Sequence, residues 1–203
     1  MTCKPVPKTL AAIAGLSQNP GHSSEATLLL IDAQREYTTG RLPLAGIDPA
    51  VEEGARLLAF ARAQGMPVFH AIHHGRPGAA LFDPRQDGSA FISELSPRDG
   101  ETVIIKSLPN AFAGTPLADL LRATGRREIV VAGFATHMCV SATARSALDH
   151  GFRTTVVAAA TATRDLPHVS GTGITPAAVV QEGTLAALAD RFSVVIQDTA
   201  ALL

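Results

Sequence analysis

The chain has 203 residues, 46% of them hydrophobic, with 17 basic against 18 acidic side chains and a formal net charge of -1. That supports one well-buried core and leaves no bulk electrostatic attraction for nucleic acid or an anionic membrane surface. The two cysteines, Cys3 and Cys139, give neither a disulfide framework nor a repeated metal-ligand spacing, so a reduced thiol in the cytoplasm is the expectation.

Residues 1–25 read as an N-terminal extension. Its short apolar run in "PKTLAAIAGLSQNPG" is interrupted by prolines and polar residues, and neither a long h-region nor an A-x-A site follows it. No run in the chain reaches the roughly 18–20 apolar residues that span a bilayer. "ATLLLID" (26–32) is the first strand, followed by a short loop and then "DPAVEEGARLLAFARAQG", a helix with Asp48 as N-cap, Pro49 at N1 and Gly65 past its end. Strands follow at "MPVFHAIH" (66–73), "ETVIIK" (101–106), "REIVVAGF" (127–134), "FRTTVVAAA" (152–160) and "FSVVIQD" (192–198). They are continuously apolar, as strands covered on both faces should be. Helices are expected in "TPLADLLRATG", "HMCVSATARSALDHG" and "TPAAVVQEGTLAALADR", the first and last opening on Thr-Pro. Strand and helix in succession predict a single α/β domain over 1–203, with parallel strands, right-handed crossovers and helices on both faces.

One segment, His74 to Gly100, is too long for an ordinary connection and reads as a lid or subunit contact over the carboxyl edge of the sheet. Its Leu81, Phe82, Phe91 and Ile92 predict a second subunit covering it, and thus a homo-oligomer. A polar loop holding Asp165 and His168 follows the fifth strand and should close over the same rim.

Three strands deliver chemistry to that rim. "TLLLID" stops on Asp32, "TVIIK" stops on Lys106, and the fourth strand leads to Cys139 where a helix begins. Singly, each has a plainer reading: a turn cap, a snorkelling lysine, a small buried hydrophobe. Together they are the minimum set for acyl transfer through a thioester. A helix N-terminus and a nearby ammonium lower a thiol pKa from about 8.5, and a carboxylate can carry its proton to a leaving group. His137 stands two residues before Cys139 and should point elsewhere in a helical turn.

"LLLIDAQREY", "IIKSLPNAFAGTPLADLL" and "VVAGFATHMCVSATARSALDHGF" together resemble the isochorismatase-like cysteine hydrolases, whose members include nicotinamidases, N-carbamoylsarcosine amidohydrolases and ureidoacrylate hydrolases. The likeness runs from about Ala26 onward. It implies a three-layer α/β/α Rossmann-like sandwich with a parallel sheet of about six strands and an Asp32, Lys106, Cys139 triad. It also implies a cis peptide bond between Phe134 and Ala135, and an oxyanion hole of the Ala135 and Cys139 backbone amides. Dimers and tetramers are habitual in the family.

Nicotinamidases hold a metal through an Asp-x-His and further histidines. Here "HAIHHG" offers His70, His73 and His74, which alternate along a strand end and cannot all converge, so neither metal nor other cofactor is expected. True isochorismatases cleave a vinyl ether and need no thiol, so Cys139 favours an amide, imide or ureido bond in a small molecule. Gln34, Tyr37, His74, Phe112, Phe134 and His137 are the substrate-binding candidates, with Arg76 or Arg85 able to pair a carboxylate. The alternatives are vinyl ether hydrolysis and a thiol sensor on the same fold. A sensor would want a resolving cysteine, and Cys3 is poorly placed to be one.

Overall fold

The computed structural model describes residues 5–202, so Cys3 lies outside the described residues. Six parallel strands form the central sheet: β1 Ala26–Ile31, β2 Val68–His73, β3 Thr102–Lys106, β4 Glu128–Phe134, β5 Arg153–Ala162 and, after a small hairpin, β8 Ser193–Ile196. The hairpin pairs β6 Leu166–Pro167 with β7 Ile174–Thr175. The sheet order is β3-β2-β1-β4-β5-β8. The chain thus winds outward from β1 in one direction, then returns to β4 and winds in the other. The crevice between the carboxyl ends of β1 and β4 is a topological switch point, where open α/β sheets place ligands.

Alternate residues of β1 feed two different cores, as period-2 side-chain alternation requires. Leu28 and Leu30 pack with Leu57, Leu58 and Ala61 of α2 (Ile47–Ala63), while Leu29 and Ile31 pack with residues of α3 (Leu117–Ala123), α4 (Ser141–Asp149) and α5 (Ala177–Arg191). Strand β1 is buried along its whole length. These are the three layers that the alternating pattern implies. A one-turn α1 (Leu10–Ile13) in the N-terminal segment is tied to α5 by the Leu10 amide donating to Asp190 Oδ1 at 2.8 Å.

Several local expectations are corrected. Helix α2 begins two residues early, with Gly46 at φ 69° as its N-cap, so Asp48 sits in the first turn, where its charge meets the helix dipole. Helix α5 takes its cap from a distance: Asp165 Oδ1 accepts the Ala177 amide at 2.7 Å. Asp165 is therefore a helix anchor, and His168 bonds only its own turn through Ser170. Strand β3 is not covered on both faces. As the edge strand it leaves Val103 and Ile105 exposed while Ile104 and Lys106 point inward.

The lid is held by its own chain. Ile92 and Arg35 amides donate to the Ala33 and Ala90 carbonyls at 2.9 Å, and Gln34 bridges Phe91 in antiparallel fashion. Phe82, Ile92 and Leu95 are buried against Tyr37, Phe134 and Ala135. Of the apolar groups that argued for a covering subunit, Phe82 and Ile92 are buried within the chain, while Leu81 and Phe91 are only partly buried.

Candidate active site

Strand β1 ends at Asp32, whose positive φ of 47° turns the chain off the sheet. Its amide still donates to the Ala71 carbonyl at 2.7 Å, and its carbonyl accepts the Gln34 amide at 2.7 Å, so both sides of the turn are fixed. The neighbouring β4 approaches β1 so closely that a Cβ on Gly133, at φ 116°, would stand 2.0 Å from the Ile31 carbonyl oxygen. Only glycine fits there. From Gly133 the chain passes through Phe134, a cis peptide bond to Ala135, and a π turn over Thr136–Val140 before α4 starts. The Ala135 carbonyl accepts both the Met138 and Val140 amides, at 3.0 and 3.3 Å. Such π turns recur at functional sites because they re-aim a side chain. Here the re-aimed residue is Cys139.

Lys106 ends β3 directly beside His73 of β2 in the parallel register. Its side chain reaches past β2 to Asp32, Nζ to Oδ2 2.8 Å, with both side chains fully buried. The strand gap is thus bridged by the length of one lysine. The ammonium also donates to the Leu108 carbonyl at 3.2 Å and lies 3.5 Å from His73 Nδ1. Asp32 Oδ1, by contrast, is buried and accepts no hydrogen bond among the described residues.

Electrostatics correct one expectation. Burial, followed by the Asp32 charge, pushes the Cys139 thiol up, and Lys106 only partly opposes this. The resting group is a neutral thiol, not a stabilised thiolate: the ion pair is already neutral, and a thiolate would leave a net negative charge in a desolvated site. Burial also raises Asp32, against the lowering pull of Lys106. His73 is lowered to about 4 by burial and then by the Lys106 charge, so it is a neutral imidazole at ordinary pH.

Of the substrate-binding candidates, Tyr37 and Phe134 are buried and packed against one another. Their rings meet edge to face at 6.0 Å, and Tyr37 meets Phe82 of the lid at 5.3 Å. The Tyr37 phenol is pushed up by burial and then by the nearby Asp32 and Cys139 charges. Gln34 is not free for a ligand. Its amide donates to the His73 and Ser89 carbonyls at 2.9 and 2.8 Å and accepts the His73 amide at 2.8 Å, clamping the Asp32 loop to β2 and the lid. Phe112 is not at the site either. It stacks on His150 at 4.7 Å and Phe152 at 6.1 Å, in the turn before β5, at the opposite end of the sheet. His74 donates its amide to the Lys106 carbonyl, but the side chain that touches the triad is that of His73. His137 is half-buried and shares a 2.5 Å hydrogen bond with Thr163 at the rim.

Other polar residues of these motifs prove to be fasteners. Asn110 Oδ1 accepts the Phe112 amide, Thr143 Oγ1 accepts the Ala111 amide at 3.0 Å, and Thr115 Oγ1 donates to the Ala111 carbonyl. The N-A-F-x-G-T run and the Thr of T-A-R therefore lock the loop after β3 onto α4. Arg85 is consumed by Asp83 through Nε and Nη2. His70 is buried and its Nε2 meets Glu101 Oε2 at 2.9 Å, and Glu101 in turn holds Arg62.

The Isochorismatase domain model matches residues 26–197. The fold superposes on the crystal structure of an isochorismatase from Pseudomonas putida with a TM-score of 0.92 and 43% identity, covering 98% of this chain and 100% of that one. A maleamate amidohydrolase from Pseudomonas putida is 36% identical over 149 residues, 66% of this chain and 70% of the relative. A secreted isochorismatase effector of Verticillium dahliae is 34% identical over 134 residues, 66% of this chain and 70% of that protein. Among the described residues no helix is long and apolar enough to cross a membrane.

Proposed function

Since the chain belongs to the isochorismatase family, we propose that it is a cysteine amidohydrolase that cleaves a C–N bond of a small amide or ureido compound through a thioester on Cys139. The observation that carries this reading is the asymmetry of the Asp32 carboxylate. Lys106 fixes Oδ2, Oδ1 is buried with no hydrogen-bond partner among the described residues, and the carboxylate lies close enough to the Cys139 thiol to interact with it. A carboxylate so placed is a base with one free lone-pair face and no solvent to compete for it.

In the proposed reaction Asp32 takes the Cys139 proton as substrate enters. The thiolate attacks the carbonyl carbon, and the oxyanion meets the backbone amides of Ala135 and Cys139. Collapse of the tetrahedral intermediate expels ammonia or an amine, which leaves with the proton from Asp32. Water then gives a proton to Asp32 and attacks the thioester, and the departing thiolate recovers that proton. Lys106 keeps Asp32 oriented throughout. The kinship with a maleamate amidohydrolase supports an amide as the bond cut.

The test is ammonia release from a panel of small primary amides, ureido acids and maleamate, with acid quench and mass spectrometry of the protein. Turnover of at least one compound, an acyl adduct on Cys139 and no turnover by Cys139→Ala are expected. Turnover retained by Cys139→Ala would refute the thioester route.

A further inference from the structure

We propose that His73 is a positioning residue of the triad, whose Nδ1 accepts from the Lys106 ammonium and so fixes the cation that holds Asp32. The inference rests on the hydrolase reading for its catalytic consequence, though its geometry stands apart from it. An ammonium has three protons, and Lys106 is fully buried. Asp32 Oδ2 and the Leu108 carbonyl take two of them, and His73 Nδ1, at 3.5 Å, faces the third, with the Cys139 thiol also close to the ammonium. Without the imidazole that proton would have to turn to the thiol or be left unmet.

The ring is built to stay there. Gln34 grips the His73 amide and carbonyl together, and the parallel register sets His73 and Lys106 side by side at their strand ends. Phe82 packs on the ring edge to face at 5.1 Å, so the lid bears on the histidine, the histidine on the ammonium, and the ammonium on Asp32. An acceptor role requires neutral His73 with its proton on Nε2, and burial beside Lys106 enforces the neutral form.

Two variants separate the acceptor from the ring. His73→Asn keeps an oxygen near the Nδ1 position and loses the ring, while His73→Phe keeps the ring against Phe82 and loses the acceptor. The first readout is iodoacetamide alkylation of Cys139 across pH, which needs no substrate. His73→Phe should alkylate about 3- to 10-fold more slowly near pH 8, because a displaced Lys106 no longer favours the thiolate, and His73→Asn should track wild type. The second is turnover of an amide found in the panel. There His73→Phe should lose about 10- to 100-fold in kcat with KM little changed, as an unmet buried donor implies, and His73→Asn should stay within a few-fold. If His73→Phe fails to fold, His73→Leu takes its place in both assays. Alkylation and turnover by Phe or Leu equal to or better than Asn would overturn the proposal, since packing alone would then explain the ring. If wild type hydrolysed nothing, the hydrolase reading would fall while the alkylation arm still decided the role of His73.

Discussion

Lys106→Met tests the ion pair at the centre of the site. The substitution keeps the chain length and removes the cation, leaving the Asp32 carboxylate in a place where neither side chain of the pair touches solvent. Breaking a buried pair by deleting one partner costs about 3–5 kcal/mol, more than the pair itself contributes, because the surviving charge is stranded. For a chain of this size that is a fall of roughly 6–20 °C in Tm. The pH dependence follows from the sign of the Asp32 shift. Burial raises its folded pKa and Lys106 opposes the rise, so without Lys106 it climbs further. A carboxyl raised in the folded state is most favourable below its unfolded pKa of about 3.9, and the advantage is lost as pH rises through the folded value. The gap between wild type and Lys106→Met should therefore be small near pH 4.5 and widest near pH 8. Urea melts at both values, with Asp32→Asn and the double variant completing a cycle, give the numbers. The double variant should be more stable at pH 8 than Lys106→Met alone. A gap that did not change with pH would refute the stranded-charge argument.

Gly133→Ala should be lost from the soluble fraction or fall by more than about 3 kcal/mol in a urea melt, because its Cβ would meet Ile31 backbone atoms at 2.0 and 2.6 Å from a φ of 116°. A wild-type midpoint would show that the two strands can part at no cost. Gln34→Leu removes three buried hydrogen bonds to the His73 and Ser89 backbones and should cost about 2–4 kcal/mol. Limited proteolysis should then cut sooner within residues 74–100, and an unchanged cleavage rate would mean that the lid is held elsewhere. His70 is buried and its pKa lowered, chiefly by desolvation with Glu101 opposing, so stability present above its unfolded pKa of about 6.5 is lost as pH falls. His70→Gln should flatten stability between about pH 7 and 5, and an unaltered slope in denaturant melts would assign that loss to other groups.

The strands were legible because each is a short apolar run bounded by charge or turn residues, and a parallel sheet covered on both faces demands such runs. Asp32, Lys106 and Cys139 were legible for the complementary reason, being polar groups at the ends of apolar strands. What the pattern did not carry was the third dimension of the loops. Gln34 and Phe112 lie in motifs beside the triad residues, yet one side chain turns into a backbone clamp and the other runs to the far end of the sheet. Sequence adjacency to a catalytic residue gave no sign of either. Between His73 and His74 the sequence did not choose: the rim residue is set by strand alternation, and the register of β2 against β3 puts His73 opposite Lys106. Strand β3 misled because an edge strand can be as apolar as a central one, its exposure set by where α2 lies and not by its own residues.

The correction to the thiol pKa changes how the site is understood to work. A stabilised resting thiolate would make Cys139 reactive towards any electrophile that reached it. Three buried ionisable groups instead hold one balanced pair and one neutral thiol, and Asp32 keeps a free oxygen beside it. In the proposed reaction the proton moves only when a carbonyl carbon is present to receive the electron pair. The charge then stays on sulfur only until the attack and passes to the substrate oxygen, facing the Ala135 and Cys139 amides. Raised pKa values for both acid and nucleophile are therefore compatible with catalysis, because the proton passes between two groups shifted in the same direction by the same burial. What must remain constant through that transfer is the position of Lys106. The structure spends its polar contacts there: a carboxylate and a carbonyl bonded to the ammonium, an imidazole beside it, and a glutamine amide holding the imidazole.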